Sequence, residues 1–197
     1  MQDQFLRSLV WTDYRLAVLF TVIIPLILLI WAFVQKVDSM VRLLIIYWRV
    51  ASLLAITVYI FIAQWPIGFV SGWCTRILIP ISLWFWVDVN EDIDDQPQSP
   101  LKLALTSWRW AVTIYSILGA IASIPSLRCA FVAGAINTPF CQAWLEPPLG
   151  FKDLFHPGAT PPFLGFLGMT GLVIYVVYLS YFVLIRLGKQ GRSAMEQ

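Results

Sequence analysis

Residues 43–87 read LLIIYWRVASLLAITVYIFIAQWPIGFVSGWCTRILIPISLWFWV. Two apolar runs, 43–63 and 66–87, are joined by only Gln64 and Trp65. Each run carries a single charged residue, Arg49 in the first and Arg76 in the second. A hydrocarbon core about 30 Å thick is crossed by roughly 20 helical residues at about 1.5 Å each. Both runs reach that length, and so short a joint permits only an antiparallel helical hairpin. Neither run alternates apolar with polar residues as a barrel strand does. Backbone groups in lipid must pair within their own segment, so both runs are expected to be transmembrane helices.

Outward from this hairpin the pattern repeats. Residues 16–34, 105–124 and 162–185 are further apolar runs of spanning length. The expected fold is all-α: a polytopic transmembrane helical bundle of about five spans, with residues 1–197 as one integral membrane domain. The connections are 35–42, an acidic loop at 88–104 and a long loop at 125–161. The start of the chain does not read as a cleavable signal, because Asp3, Arg7 and Asp13 interrupt it and no small-x-small site follows. Phe5, Leu6, Leu9 and Val10 share a helical face. That stretch is either an amphipathic helix lying on the membrane or an extended start to the first span.

Composition agrees. The chain is 59% hydrophobic and 12% charged, where soluble domains carry roughly 25% charged residues. Its 10 Trp suit a protein anchored at membrane interfaces. A net charge of +2 is too small to point to nucleic acid. One His and three Cys are too few for a bis-histidine haem or an ordinary four-ligand zinc site. Nucleotide-binding, hydrolase-elbow and zinc-protease motifs do not occur. No catalytic residue, metal site or cofactor is therefore expected.

Orientation follows from Lys and Arg near the span ends. Lys36, Arg42, Lys102, Arg109, Arg186, Lys189 and Arg192 fall on one side; Arg7, Arg15, Arg128 and Lys152 fall on the other. The richer side is expected to be cytoplasmic. This puts the C-terminus and the acidic loop inside, and the N-terminus and the 125–161 loop outside. Cys129 and Cys141 share that outer loop, where they either form a disulfide or remain free thiols. Cys74 lies within a span and reads as an inert apolar residue.

Arg76 carries the most chemical information. It stands near the middle of its span, where a charge costs a few kcal/mol on insertion scales (about 2.5–3.5) unless it is compensated. No Asp or Glu falls inside the assigned spans, and Asp13 and Asp88 sit at span edges. Compensation is therefore sought from carbonyls, hydroxyls, aromatic faces, a wet cavity or an external anion. Pro80 frees the carbonyl of Arg76, and Pro25 frees that of Thr21. Gly68 and Gly72 precede Arg76 and Pro80 at four-residue spacing, a small-residue stripe that lets helices approach. The expected neighbour is the preceding span. Arg76 is either an intramembrane anion or lipid site or a pin between helices. Arg49, with Ser52 and Tyr59 on its face, is a second candidate for the same site or an interface anchor whose head snorkels to the surface.

Other features read as structural. Gly165, Gly168 and Gly171, and Ser116, Gly119, Ala120 and Ser123, form packing stripes; a pigment or quinone groove would use similar surfaces. Residues 88–95 begin like a calcium loop, but Ile93 and Ser99 stand where glycine and glutamate are required. A solvated loop is expected there, one that docks a partner or caps the cytoplasmic face, with weak divalent binding as the alternative. Pro147, Pro148 and Pro157 are expected to break helices in the outer loop. His156 is an ordinary loop residue or an axial ligand for a chlorophyll magnesium.

The run Leu9–Val18, the Pro25-centred span and the Gly-Trp-Cys-Thr-Arg stretch ending at Arg76 resemble an uncharacterised family of cyanobacterial integral membrane proteins, a domain of unknown function. The resemblance covers nearly the whole chain. It implies a thylakoid or plasma membrane location and supplies no catalytic residues. With the missing catalytic set, it leads to the expectation of a non-enzymatic accessory or assembly factor of a photosynthetic membrane complex. Such a factor would have membrane lipids and other membrane proteins as partners and no nucleic acid. Chlorophyll or carotenoid would be the pigments to consider. The alternative is a small-solute transporter, or a lipid- or anion-handling protein, with Arg76 at its site.

Overall fold

The computed structural model describes residues 2–187 and Ser193. Lys189 and Arg192, used above for orientation, lie outside the described residues. No strand occurs among the described residues. The first helix is longer than its apolar run. Helix α1 (Gln2–Val18) continues through a π-helical turn, Leu19–Ile23, into α2 (Ile24–Val34). Of the two readings of the N-terminal stretch, the structure has the extended helix. The π-turn adjoins Pro25, which has no N–H to give to the preceding turn.

Helix α2 ends in a Schellman cap: Val37 N–H donates to the Ala32 carbonyl (3.1 Å) and Lys36 N–H to the Phe33 carbonyl (3.2 Å). Helix α3 (Asp38–Ile62) ends the same way, with Trp65 N–H on Ile60 and Gln64 N–H on Phe61. Lys36 and Gln64 take the left-handed position, at φ 56° and 57°, where glycine is usual. The second cap makes the tight hairpin into α4 (Ile67–Trp84). Gly68 lies against Ile60 and Phe61, and Gly72 against Thr57, so this end of the stripe does face α3. Thr57 and Ser71 hydroxyls meet across it at 2.9 Å.

The acidic segment is a helix, not a loop. Helix α5 (Val87–Asp95) buries Val89 and Ile93, one turn apart, and turns Glu91, Asp94 and Asp95 outward. Asp88 in its first turn favours the helix dipole. Sequence reading missed it because nine residues give one turn of apolar repeat and the acids dominate. Ser99 then caps α6 (Pro100–Ala122), accepting from Lys102 N–H at 3.1 Å. A 3-10 turn, Ile124–Leu127, leads to the short α7 (Arg128–Phe131).

The outer segment is also largely helical. After a second 3-10 turn, Ala135–Asn137, helix α8 (Pro139–Phe155) runs straight through Pro147 and Pro148, contrary to the break expected there. Both prolines are buried. Packing of that face outweighs the local cost of an interior proline, about 3 kcal/mol each. Helix α8 lies against α1 and α3, with Arg7 paired to Glu146 at 3.0 Å. Helix α9 (Pro161–Tyr181) passes into a π-helical segment, Phe182–Arg186, and packs on α3 through Gly165 and Gly168.

Four helices are long and apolar enough to cross a membrane: Gln4–Val34, Asp38–Ile62, Ile67–Trp84 and Pro161–Ile185. A fifth crossing arises if Pro100–Ala122 and Ile124–Phe131, bent by 52°, form one span. At about 1.5 Å per residue the first spans roughly 46 Å, more than the hydrocarbon core, so one end of it extends beyond lipid. The core among α2 to α6 is filled by fully buried Leu43, Leu44, Tyr47, Leu83, Leu101 and Leu105.

Candidate functional site

Arg76 lies nine residues after Ile67, about 14 Å along α4. Its partner is an acid on the first helix. Arg76 Nη2 donates to Asp13 Oδ2 at 2.5 Å. Tyr115 from α6 donates its hydroxyl to Asp13 Oδ1 at 2.8 Å, and its ring lies 5.4 Å from the Arg76 guanidinium carbon. The expectation that no acid could reach Arg76 is thus corrected. The apolar run begins at Leu16, but the helix begins at Gln2, and α1 carries Asp13 alongside α4 and α6. Apolarity defines a span by what lipid tolerates; it does not see an acid neutralised by a neighbouring helix.

Gly119 completes this site. A Cβ there would collide with Arg76 Nη1 and stand 2.8 Å from its guanidinium carbon. The glycine is what lets the guanidinium lie flat against α6. Arg76 Nη1 is buried and has no hydrogen-bond partner. Trp73 Nε1 donates to the Ala120 carbonyl at 3.1 Å, so α4 and α6 are tied again one turn on. The stripe on α4 therefore splits: its glycines meet α3, whereas Arg76 turns to α1 and α6.

The carbonyl freed by Pro25 does not serve Arg76. Tyr47 donates its hydroxyl to the Thr21 carbonyl at 2.6 Å, and Trp108 Nε1 donates to the Phe20 carbonyl at 2.8 Å. Two donors from α3 and α6 thus satisfy the π-turn of the first helix.

Arg109, counted above as a flanking charge, is instead buried, only 2% exposed. Its Nη2 donates to Asn90 Oδ1 at 2.5 Å, and its guanidinium lies 4.1 Å from the Trp84 ring. Trp84 Nε1 in turn donates to Thr113 at 2.9 Å. Lys102 Nζ donates to the carbonyls of Asp94 and Gln96 at 2.7 Å each, which closes the C-terminal end of α5. Helix α5 is thereby clamped to α4 and α6 from beneath. None of this was visible in the sequence, because each bond joins residues from different helices or from a helix and a turn.

The remaining candidates are placed elsewhere. Cys129 and Cys141 are joined as a disulfide and buried with Phe69 and Leu145. His156 Nε2 lies 2.9 Å from the Tyr59 hydroxyl, tying the end of α8 to α3. Arg49 is not brought to Arg76; it lines a separate cleft on the other side of α4. No group of three or more His, Cys, Asp or Glu that could hold a metal occurs among the described residues.

This arrangement defines a multi-pass, all-helical membrane protein whose buried cations are bound by groups on neighbouring helices. Over residues 7–195 the chain belongs to the family described as a protein of unknown function, DUF3177. No curated protein and no solved structure matches it.

Proposed function

We propose that this chain is a non-enzymatic accessory or assembly factor of a membrane complex, with α5 as its docking element and its C-terminus in the cytoplasm. The observation that carries the reading is the mounting of α5. Val89 and Ile93 are fully buried, Arg109 holds Asn90 from below, and Lys102 closes the end. The outer face then holds Glu91, Asp94 and Asp95 exposed on a rigid platform. A loop that only had to stay soluble would not need a buried arginine beneath it. A fixed acidic face suits a basic surface on a partner, because complementary charge speeds and orients docking. The family resemblance extends the proposal to photosynthetic machinery in a cyanobacterial thylakoid or plasma membrane. Chlorophyll or carotenoid, if present, would belong to that complex.

A carrier with Arg76 at its site draws less support, since Asp13 already neutralises that cation. The test is affinity purification of the tagged full chain in a mild detergent. A stoichiometric membrane complex is expected from the native chain, and its loss from the triple variant Glu91→Lys, Asp94→Lys, Asp95→Lys. Elution of the native chain alone under every mild condition would overturn the proposal.

A further inference from the structure

Helices α4 and α9 both pack on α3 and leave a groove between them. Its upper part is a cleft of about 470 Å³ lined by Arg42, Arg49, Asp38, Ser82, Tyr175 and Tyr178, with apolar walls. Its lower part is a cavity of about 380 Å³ with almost no polar lining. The two share Leu78, Tyr175 and Leu179 as lining, so they adjoin along the same face of α4 and α9. From Ile67 in the lower part to Ser82 in the upper is about 22 Å along α4.

Arg49 is the unusual group in this groove. It is eleven residues into α3, about 16 Å from the helix start. Among the described residues its guanidinium donates no hydrogen bond and meets no carboxylate within salt-bridge distance. Asp38 is the one acid lining the cleft, and about 16 Å of helix separates it from Arg49, too far for direct pairing. The hydroxyls of Tyr175 and Tyr178 also form no hydrogen bond among the described residues. The Arg49 side chain is exposed on the bundle surface six residues past Leu43, inside the apolar run, where an anion is its natural partner, and two tyrosine hydroxyls line the same cleft. The adjoining cavity, with almost no polar lining, suits hydrocarbon.

We infer that this groove binds an anionic membrane lipid, with the headgroup on Arg49 and the tyrosine hydroxyls and an acyl chain in the lower cavity. The inference is independent of the docking role of α5. Arg42, two turns from Arg49 along α3, lines the mouth where the headgroup enters. The lipid supplies Arg49 with the counter-charge that no described carboxylate offers it, and the groove supplies a tail site that a soluble anion could not use.

The test uses the full chain purified in a neutral detergent. Native mass spectrometry and thermal unfolding are read with phosphatidylglycerol and with phosphatidylcholine of the same acyl chains. Phosphatidylglycerol is expected to be retained about tenfold better and to raise the unfolding temperature, as one charge-assisted contact predicts. Arg49→Gln removes a group with no internal bond and is expected to bring retention down to the phosphatidylcholine level. Val176→Trp, on an exposed wall of the lower cavity, is expected to weaken phosphatidylglycerol retention while leaving the bundle folded. Equal retention of the two lipids, as for a protein occupant, would overturn the inference. So would an Arg49→Gln variant that binds as before, or inorganic phosphate that reproduces the full thermal shift.

Discussion

Asp13→Asn removes one charge where α1 meets α4 and α6 and keeps the shape of the side chain. Tyr115 can still donate to the amide oxygen, so the loss is concentrated on Arg76. Opposite charges about 4 Å apart attract by about 4 kcal/mol at an effective dielectric of about 20. The Arg76 and Asp13 side chains are 15% and 29% exposed, which lowers the expected cost of Asp13→Asn to about 2–3 kcal/mol. Arg76→Met removes the other charge and strands Asp13 on the Tyr115 hydroxyl, with a similar expected cost. The double variant removes both charges, and its stability should return to within about 1 kcal/mol of the native chain. The coupling energy is then about 3 kcal/mol or more, far beyond the additive limit for independent sites. Unfolding in mixed micelles of rising denaturing-detergent fraction, followed by tryptophan fluorescence, reads all four proteins. Single variants costing under about 0.5 kcal/mol, with an additive double, would refute the ion pair as the compensation for Arg76.

Gly119→Leu should displace the Arg76 guanidinium and lower stability by about 1–3 kcal/mol through overpacking, a loss that the further change Arg76→Met should partly relieve. Tyr47→Phe leaves the Thr21 carbonyl without its donor and should cost about 1–3 kcal/mol in the same unfolding assay, with no change in topology. Reducing the Cys129–Cys141 bridge, with a sequence separation of 12, should cost about 3 kcal/mol by loop entropy; a variant with both cysteines changed to serine should unfold at the same point with or without reductant. Gln64→Gly relaxes a left-handed residue in the hairpin cap and should stabilise the chain by about 0.5–1 kcal/mol.

The spanning segments were legible in the sequence because hydrocarbon imposes length and apolarity on each helix separately. The Pro25 carbonyl was legible for a related reason: a missing N–H is a local fact, and a donor had to be found. Asp13 was not legible as the partner of Arg76, since the pair depends on how far a helix continues past its apolar run. Arg109 shows the converse, a cation that looks like an interface residue by position and is buried by its neighbours. Helix α5 escaped because its buried face is only Val89 and Ile93, too short a repeat to stand out among five acids. Helix α8 keeps its turn through two prolines because tertiary burial overrides local propensity. Arg49 was legible as a candidate anion or lipid site, but the groove beside it was not, because α3, α4 and α9 each contribute one wall.

Five crossings require the two ends of the chain to lie on opposite faces of the membrane. The bent pair of α6 and α7 is the segment on which that number turns. Reporters active on only one side, fused to the N-terminus and separately to the C-terminus of the full chain, measure it directly. The account predicts that the N-terminal fusion reports from the outer face and the C-terminal fusion from the cytoplasm. Both ends reporting from one face would mean an even number of crossings and would contradict it.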